Sequence, residues 1–299
     1  MSPELALGTY HCRDIPRAVG HATARGVVWI DAAPNYRAGH AHTLLVSALP
    51  QPRQVRISTK TGFFVQEEGE AAVEAGILTP EEAAAGHSLT ADFLRWQTSR
   101  SLDVLGRADC VFVHNPEHAT DDRDELHALL RNAFTVLEEF TDADRIGGYG
   151  VATWSGLDSG AFTVPEILTL AQEAAGSGDH HLRAVQLPVS LVMVQPISLA
   201  LDGRGPLVHA HAAGLDTFVS SPLHGGELPG MVTRELAELI GPGLTTAQAA
   251  LRVVASTPGV TRVLLGTHNP AHWDAAANTL ALPPLPLKTL RKVIDVLGP

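Results

Sequence analysis

The sequence predicts an α/β protein of the (β/α)8 class, a single TIM barrel of eight parallel strands surrounded by helices. Short apolar runs alternate with amphipathic stretches along the whole chain, which is the pattern of βα units and a parallel sheet. Eight such runs fit within 299 residues, and most intervening segments are long enough for a crossover helix. We therefore expect one barrel domain over residues 1–299, and not an open, doubly wound sheet.

The predicted strands are short runs dominated by apolar and β-branched residues, bounded by polar or turn-forming residues. The run 27–31, for example, ends at an acidic residue that is followed by small residues, a proline and a tyrosine. In chain order, strands are expected at residues 5–9, 27–31, 55–59, 110–114, 146–152, 184–188, 217–221 and 261–266.

Between the strands, apolar residues recur at helical spacing. Glycine follows the stretches 13–25 and 92–105, as is common where helices end. Further helices are expected at 165–175 and 246–256. Packing against the barrel explains these apolar stripes without a cofactor. The clearest stripe, within residues 124–140, consists of Leu126, Leu129, Leu130, Phe134 and Leu137.

A long segment at residues 62–87 follows the third predicted strand and is rich in Glu and Ala. A long loop at the carboxyl face of a barrel often forms a lid or a wall of the substrate site. The alternative is a surface excursion with one short helix at 80–85. The sequence leaves both open.

Composition and charge restrict the class of partner. Hydrophobic residues make up 45% of the chain and charged residues 18%, which is ordinary for a globular enzyme. The formal net charge of −11 argues against nucleic acid or an anionic membrane as the main partner. Oligomeric state stays open.

The cysteines and the N-terminal residues indicate a compartment. Cys12 and Cys110 show no metal-ligand spacing, so we expect reduced core thiols. The N-terminal residues lack a basic region followed by an apolar run, and no apolar stretch is long enough to span a bilayer. These features predict a cytoplasmic protein.

Four chemically useful side chains follow neighbouring predicted strands. Asp31 and Tyr36 follow the second strand, Lys60 the third and His114 the fourth. The carboxyl ends of barrel strands converge on one rim, where active sites are built. Each residue alone has an ordinary structural explanation, but the four together predict a catalytic site.

This set is suited to protonating an oxygen. A phenol has a pKa of about 10, and a buried ammonium group nearby would lower it, so we expect Lys60 to tune Tyr36. Asp31 would pair with Lys60 and keep it charged. His114 could orient a carbonyl oxygen or share its proton with the phenol. Protonation during hydride transfer would require a hydride-carrying cofactor.

The catalytic segments resemble those of the aldo-keto reductase superfamily. The similarity rests on residues 31–36, which read Asp-Ala-Ala-Pro-Asn-Tyr, on Ser58-Thr59-Lys60 and on His114-Asn115-Pro116. It continues over nearly the whole chain, through residues 7–9, 148–154, 221–223 and 264–268. The resemblance implies that Tyr36 is the general acid/base, that Asp31 and Lys60 set its acidity, and that His114 shapes the substrate pocket.

The resemblance also implies an extended nicotinamide cofactor, usually NADPH, bound without a glycine-rich phosphate loop. Ser220 occupies the position of the family's aromatic residue that stacks on nicotinamide. The resemblance makes NADP the expected cofactor. Because Ala275 and Ala276 replace the Glu-Asn that contacts adenine, NAD is also possible. The implied cofactor-binding residues are Ala152, Thr153, Gln186, Ser220, Ser221, Leu223, Gly266, Thr267, His268, Asn269 and His272.

Aromatic and amide residues near the strand ends are candidates for substrate contacts, namely Phe63, Asn115 and Trp154. No metal is expected, because the paired histidines have no companion Cys or Glu cluster at ligand spacing. A serine hydrolase is also disfavoured, since the chain lacks the GxSxG nucleophile elbow.

The first hypothesis is therefore an NAD(P)H-dependent oxidoreductase that reduces a small-molecule carbonyl or an imine, with Tyr36 as the proton donor. Two alternatives remain. The changed segment at Ala275 and Ala276 would suit a cofactor-binding regulatory barrel with little turnover. A biosynthetic enzyme could instead use the same acid/base residues without redox chemistry.

Overall fold

The computed structural model describes residues 3–50, 54–176 and 179–298. Eight parallel strands pair in chain order, and the first also pairs with the eighth, so that the sheet closes into a barrel. This arrangement confirms the predicted (β/α)8 fold. The strands are β1 Glu4–Gly8, β2 Trp29–Asp31, β3 Arg56–Thr61, β4 Cys110–His114, β5 Tyr149–Ala152, β6 Leu182–Pro188, β7 Asp216–Ser220 and β8 Arg262–Leu265.

The helices surround the barrel or extend its connections. No helix among the described residues is both long and apolar enough to cross a bilayer. The helices are α1 Ile15–Thr23, α2 Ala41–Ala48, α3 Gln66–Glu74, α4 Pro80–Ala84, α5 Ala91–Leu105, α6 Arg123–Asp142, α7 Gly156–Ser159, α8 Val164–Ala175, α9 Gln195–Leu201, α10 Pro206–Ala212, α11 Leu228–Met231, α12 Arg234–Ile240, α13 Thr246–Ala255, α14 Pro270–Leu280 and α15 Leu287–Leu297.

Two predicted strands begin too early. β2 starts at Trp29, and Val28 before it is 46% exposed. β5 starts at Tyr149, because Gly148 has φ 153° and the pairing with β6 shifts register at Tyr149 and Gly150. These shifts leave the carboxyl ends of both strands, where the predicted site residues lie, in their expected places.

Side chains pack on both faces of the barrel wall. The outer layer lies between strands and helices and includes Cys12, whereas Cys110 belongs to the interior, so both cysteines are buried and free. Tight interior packing gives the carboxyl rim a solid floor. The interior apolar cluster consists of Ala6, Trp29, Cys110, Phe112, Ala152, Ala184, Phe218 and Leu264.

The excursion at residues 62–87 has its own small core, formed by Phe64, Ala72 and Leu78 against Phe93 of α5. Its two ends are joined by a bridge between Phe63 and His87. It contains α3 as well as α4, so the alternative prediction of a single short helix at 80–85 was incomplete.

Candidate active site

A buried ion pair lies at the centre of the carboxyl rim. The Nζ atom of Lys60 lies 2.5 Å from Oδ2 of Asp31 and 3.3 Å from the carbonyl oxygen of Ala32. The Ser58 hydroxyl donates to Oδ1 of Asp31 at 2.7 Å, and the Trp29 indole N–H donates to Ser58 at 3.0 Å. The lysine and the carboxylate are both almost completely buried. Both carboxylate oxygens are thus held by donors, which fixes the ammonium group in one place.

Tyr36 lies next to this pair. The Lys60 Nζ atom is 5.2 Å from the centre of the phenol ring, and the Tyr10 ring is 5.0 Å from it. Burial raises the pKa of Tyr36 well above its ordinary value, and the negative charge of the nearby Asp31 carboxylate acts in the same direction. The expected lowering of this pKa by Lys60 is therefore not what the structure gives, because the burial of the phenol and the charge of Asp31 outweigh the ammonium group. Tyr36 keeps its proton at neutral pH.

His114 completes the group, with its ring centre 6.0 Å from that of Tyr36. Burial lowers the pKa of His114 well below its ordinary value, and the nearby Lys60 adds to the effect, so the imidazole is neutral. Its Nδ1 atom is buried and has no hydrogen-bond partner among the residues that the structure describes. A neutral ring with an unused nitrogen is suited to a hydrogen bond with a bound ligand.

Aromatic rings and imidazoles form a wall beside His114. Phe63 lies 5.1 Å from His114, 4.4 Å from His87 and 5.3 Å from His118, measured between ring centres. The Nε2 atom of His87 is 3.0 Å from the carbonyl oxygen of His114. Phe63 therefore lies beside His114, and the excursion that carries it is joined to β4.

The predicted cofactor contacts of β5 and β6 lie side by side, since Ala152 pairs with Gln186. Gln186 is buried, and its Nε2 atom has no hydrogen-bond partner within the described ranges. The Thr153 hydroxyl donates to Glu117 at 2.7 Å and accepts from the Gly156 N–H at 2.8 Å. Gln186 thus offers an unused donor, whereas the Thr153 hydroxyl has already used its donor and one of its two acceptor positions.

The remaining predicted cofactor residues follow β7 and β8. Ser220 ends β7, and Ser221 and Leu223 follow it. After β8, Gly266 and Asn269 are exposed, with Thr267 and His268 partly so, and this loop therefore faces solvent. Oδ1 of Asn269 accepts from the Ala271 N–H at 3.0 Å, and Nδ1 of His272 lies 3.2 Å from the Thr267 hydroxyl.

Residues with positive φ concentrate at this rim. His11, Arg37, Asn115, Ser221 and His224 all have φ between 44° and 55°, and each lies in the connection that follows a strand. Such conformations are costly for residues other than glycine and cluster at functional sites. Their placement agrees with a site at the carboxyl end of the barrel.

The other two predicted substrate residues lie on the β4 and β5 side. The Asn115 N–H donates to the Ala152 carbonyl at 2.6 Å. Trp154 is 44% exposed and lines a cavity of about 370 Å³ together with Leu187, Met193 and Leu199. This cavity adjoins the predicted nicotinamide contacts but contains none of the four predicted catalytic residues.

Sequence reasoning missed several residues that support the site, namely Ser58, His42, His87 and Glu117. Ser58 stood within a quoted catalytic segment and Glu117 directly after another, which was the available signal. His42 is buried and bonds to the Thr59 hydroxyl at 2.8 Å, but only the fold places α2 against β3.

One group of described residues, Glu138, Asp142 and His181, is close enough to share a metal ion. Glu138 already accepts from the Tyr149 hydroxyl and from the His181 N–H, and its second oxygen lies 2.5 Å from Nδ1 of His181. The group lies where β5 and β6 begin, at the barrel end opposite the candidate site.

Comparison with known proteins gives a family match. The model of the Aldo/keto reductase family matches residues 8–239. No curated protein sequence matches the chain.

Solved structures share the fold over almost the full length. An aldo-keto reductase from Klebsiella pneumoniae in complex with NADPH is 17% identical, with a TM-score of 0.68 over 100% of this chain and 92% of that chain. A glycerol dehydrogenase from Gluconobacter oxydans is 18% identical, with a TM-score of 0.71 over 98% and 90%. The holo form of an aldo-keto reductase from Bacillus halodurans is 16% identical, with a TM-score of 0.70 over 99% and 92%.

Proposed function

The chain belongs to the aldo/keto reductase family, and on that basis we propose that it is an NAD(P)H-dependent oxidoreductase that reduces a small-molecule carbonyl, with Tyr36 as proton donor. The observation that carries the proposal is the convergence of four groups at one rim. A protonated Tyr36 lies beside the buried Asp31–Lys60 pair and a neutral His114. This is the set that protonation of a carbonyl oxygen requires.

The four residues have separate roles in the proposed reaction. Bound nicotinamide cofactor supplies the hydride. Tyr36 gives its proton to the carbonyl oxygen, and the fixed ammonium of Lys60 stabilises the phenolate that remains. Asp31 and Ser58 hold Lys60 in position. His114 donates a hydrogen bond that orients the carbonyl oxygen.

The cofactor we propose is NADP, with NAD as the alternative. Gln186 fits a nicotinamide carboxamide, because its buried Nε2 atom is an unused donor for the amide oxygen. The solvent-facing loop after β8 and the first amides of α14 suit a phosphate. Between 266 and 278 the only basic side chains are His268 and His272. The Klebsiella relative was solved with NADPH, which favours NADP for this chain.

A titration tests the proposal first. NADPH and NADH are added separately to the purified protein while its tryptophan emission is followed. A panel of aldehydes and ketones is then assayed for cofactor oxidation. We expect saturable quenching with at least one cofactor, and turnover of at least one carbonyl. Tyr36→Phe should retain the quenching and lose turnover by a factor of about 100 or more.

The alternatives give different results in the same experiment. Cofactor binding without turnover of any carbonyl would favour the regulatory barrel. Absence of binding to both cofactors would contradict the proposal and leave the non-redox enzyme. Near-normal turnover by Tyr36→Phe would remove Tyr36 as the proton donor.

A further inference from the structure

One carboxylate oxygen holds the turn that follows β5. Oε1 of Glu117 accepts hydrogen bonds from the N–H groups of Trp154 at 2.9 Å, Ser155 at 2.9 Å and Gly156 at 3.2 Å. It also accepts from the Thr153 hydroxyl at 2.7 Å. Successive backbone N–H groups that converge in this way form a nest, which binds anions. Here the chain's own carboxylate fills the nest.

Glu117 lies close to the catalytic rim in sequence and in space. It is part of the 3-10 helix Pro116–His118, which begins two residues after His114. The Asn115 N–H donates to the carbonyl of Ala152, at the end of β5. The loop that follows His114 and the turn 153–156 are therefore held together from both sides.

The same carboxylate fixes the hydrogen-bond direction of Thr153. A hydroxyl has one donor and two acceptor positions. Thr153 gives its proton to Glu117 and accepts from Gly156, so the one capacity left is that of an acceptor. With the donor on Gln186, this makes a donor and an acceptor, which is complementary to a primary carboxamide.

We propose that Glu117 is a positioning residue that holds the turn 153–156 and sets Thr153 as an acceptor for the nicotinamide carboxamide. The inference rests on the proposed function. Oε2 of Glu117 is buried without a hydrogen-bond partner in the described part of the chain, although a carboxylate kept for stability alone would normally have both oxygens paired. The hydrogen bonds of the Glu117 carboxylate are therefore those between Oε1 and the turn 153–156.

Chemical rescue tests the proposal. In Glu117→Ala the nest is empty, and formate can supply the missing carboxylate. We expect the Kd for NADPH to rise about tenfold in Glu117→Ala, and saturating formate to restore most of the affinity. Glu117→Gln keeps an acceptor oxygen in place and should stay within about threefold of the wild type. Glu125→Ala is the matched control, because Glu125 is an exposed carboxylate that bonds to Thr120.

Hydrogen exchange gives a second readout that needs no cofactor. The amides of residues 154–156 should exchange faster in Glu117→Ala and slow again when formate is added. Unchanged exchange, or changed exchange with unchanged NADPH affinity, would overturn the proposal. Loss of affinity that formate does not restore would also overturn it. If the wild type binds neither NADPH nor NADH, the proposed function fails, which the wild-type titration alone reveals.

Discussion

At the scale of single residues, the electrostatics of the candidate site depend on the ion pair between Lys60 and Asp31. Lys60 and Asp31 are buried together, and burial lowers the pKa of Lys60 while Asp31 opposes that change. The ammonium group of Lys60 therefore interacts mainly with the carboxylate of Asp31. Tyr36 remains protonated because its burial and the charge of Asp31 raise its pKa, and a protonated phenol is the state that a reductase needs in its proton donor.

The pair itself can be tested by a double substitution. Lys60→Met leaves the Asp31 carboxylate buried without its cation, which should lower the free energy of unfolding by about 3 kcal/mol. Asp31→Asn combined with Lys60→Met removes both charges and should recover at least half of that loss. Urea denaturation measures both variants. A single variant as stable as the wild type, or a double variant less stable than the single one, would contradict this account.

Residue positions at the strand ends were predictable, whereas their hydrogen-bond partners were not. Asp31, Lys60 and His114 lie where apolar runs stop, and that signal is present in the sequence. The bond from Ser58 to Asp31 depends on which face of β3 each side chain occupies and on its rotamer. The role of Glu117 could not be predicted, because it depends on contact between its loop and the loop at Thr153, which lies 36 residues further along the chain.

At the scale of elements, the sequence left two possibilities for the excursion 62–87, a lid or wall of the substrate site or a surface excursion with one short helix. The helices of the excursion show why. α4 has a capping box, in which Thr79 and Glu82 bond to each other's backbone, and it was predicted. α3 lacks a side-chain cap and contains Gly69, where a Cβ atom would lie 2.9 Å from Phe64. Because its ends are joined and its core packs on α5, we propose that the excursion is a fixed wall of the substrate site.

The contact between α2 and β3 predicts a pH effect on stability. Burial, with the charge of Lys60 as a second cause, lowers the pKa of His42 to about 4. An unfolded histidine titrates near pH 6.5, so between about 6.5 and 4 the unfolded state binds a proton that the folded state does not. The free energy of unfolding should therefore fall as pH falls through this range, by about 3 kcal/mol from His42 alone.

His42→Gln removes the titration while keeping a group that can bond to Thr59. Its stability should fall about 3 kcal/mol less than that of the wild type between pH 7 and pH 4. His209→Gln, at an exposed position of α10, should follow the wild-type curve. Parallel curves for His42→Gln and the wild type would contradict the assignment.

At the scale of the whole molecule, the barrel interior is closed at the end opposite the site. The Arg262 guanidinium lies 4.6 Å from the Trp29 ring and 5.0 Å from the Phe218 ring. It pairs with Asp216 at 2.5 Å and with Glu4 at 3.2 Å. The Arg262 side chain acts as a plug: it connects β1, β7 and β8, and the interior apolar cluster beneath the site packs on it.

Arg262→Ala should destabilise the fold without touching the rim. Because Asp216 and Glu4 are partly exposed, most of the cost comes from lost packing and lost contacts with the two rings, about 2 kcal/mol. Arg131→Ala breaks an exposed pair with Glu173 and should change stability by less than about 1 kcal/mol. Thermal unfolding compares the two. Equal effects would show that Arg262 is not a plug.

The fold as a whole was predictable because βα alternation is encoded in periodicity, and eight βα units within 299 residues favour a closed barrel. The residues at which strands begin were less predictable. The runs that begin at residues 27 and 146 continue the apolar pattern outside the ladder, where Val28 is exposed and Ile146 makes only an isolated bridge. The carboxyl ends of the strands gave a sharper signal, because polar residues interrupt the apolar pattern there. The candidate site residues lie at these ends and were predictable for the same reason.

The most direct test of the central claim is isotope transfer. The protein is incubated with NADPH or NADH that carries deuterium at both C4 positions of the reduced nicotinamide, and with a carbonyl found in the panel. The alcohol is then analysed by mass spectrometry. The account predicts one deuterium on the carbinol carbon of each product molecule. Tyr36→Phe should give at least about 100-fold less labelled product, although that variant still binds cofactor. Unlabelled product, or equal labelled product from Tyr36→Phe, would contradict it.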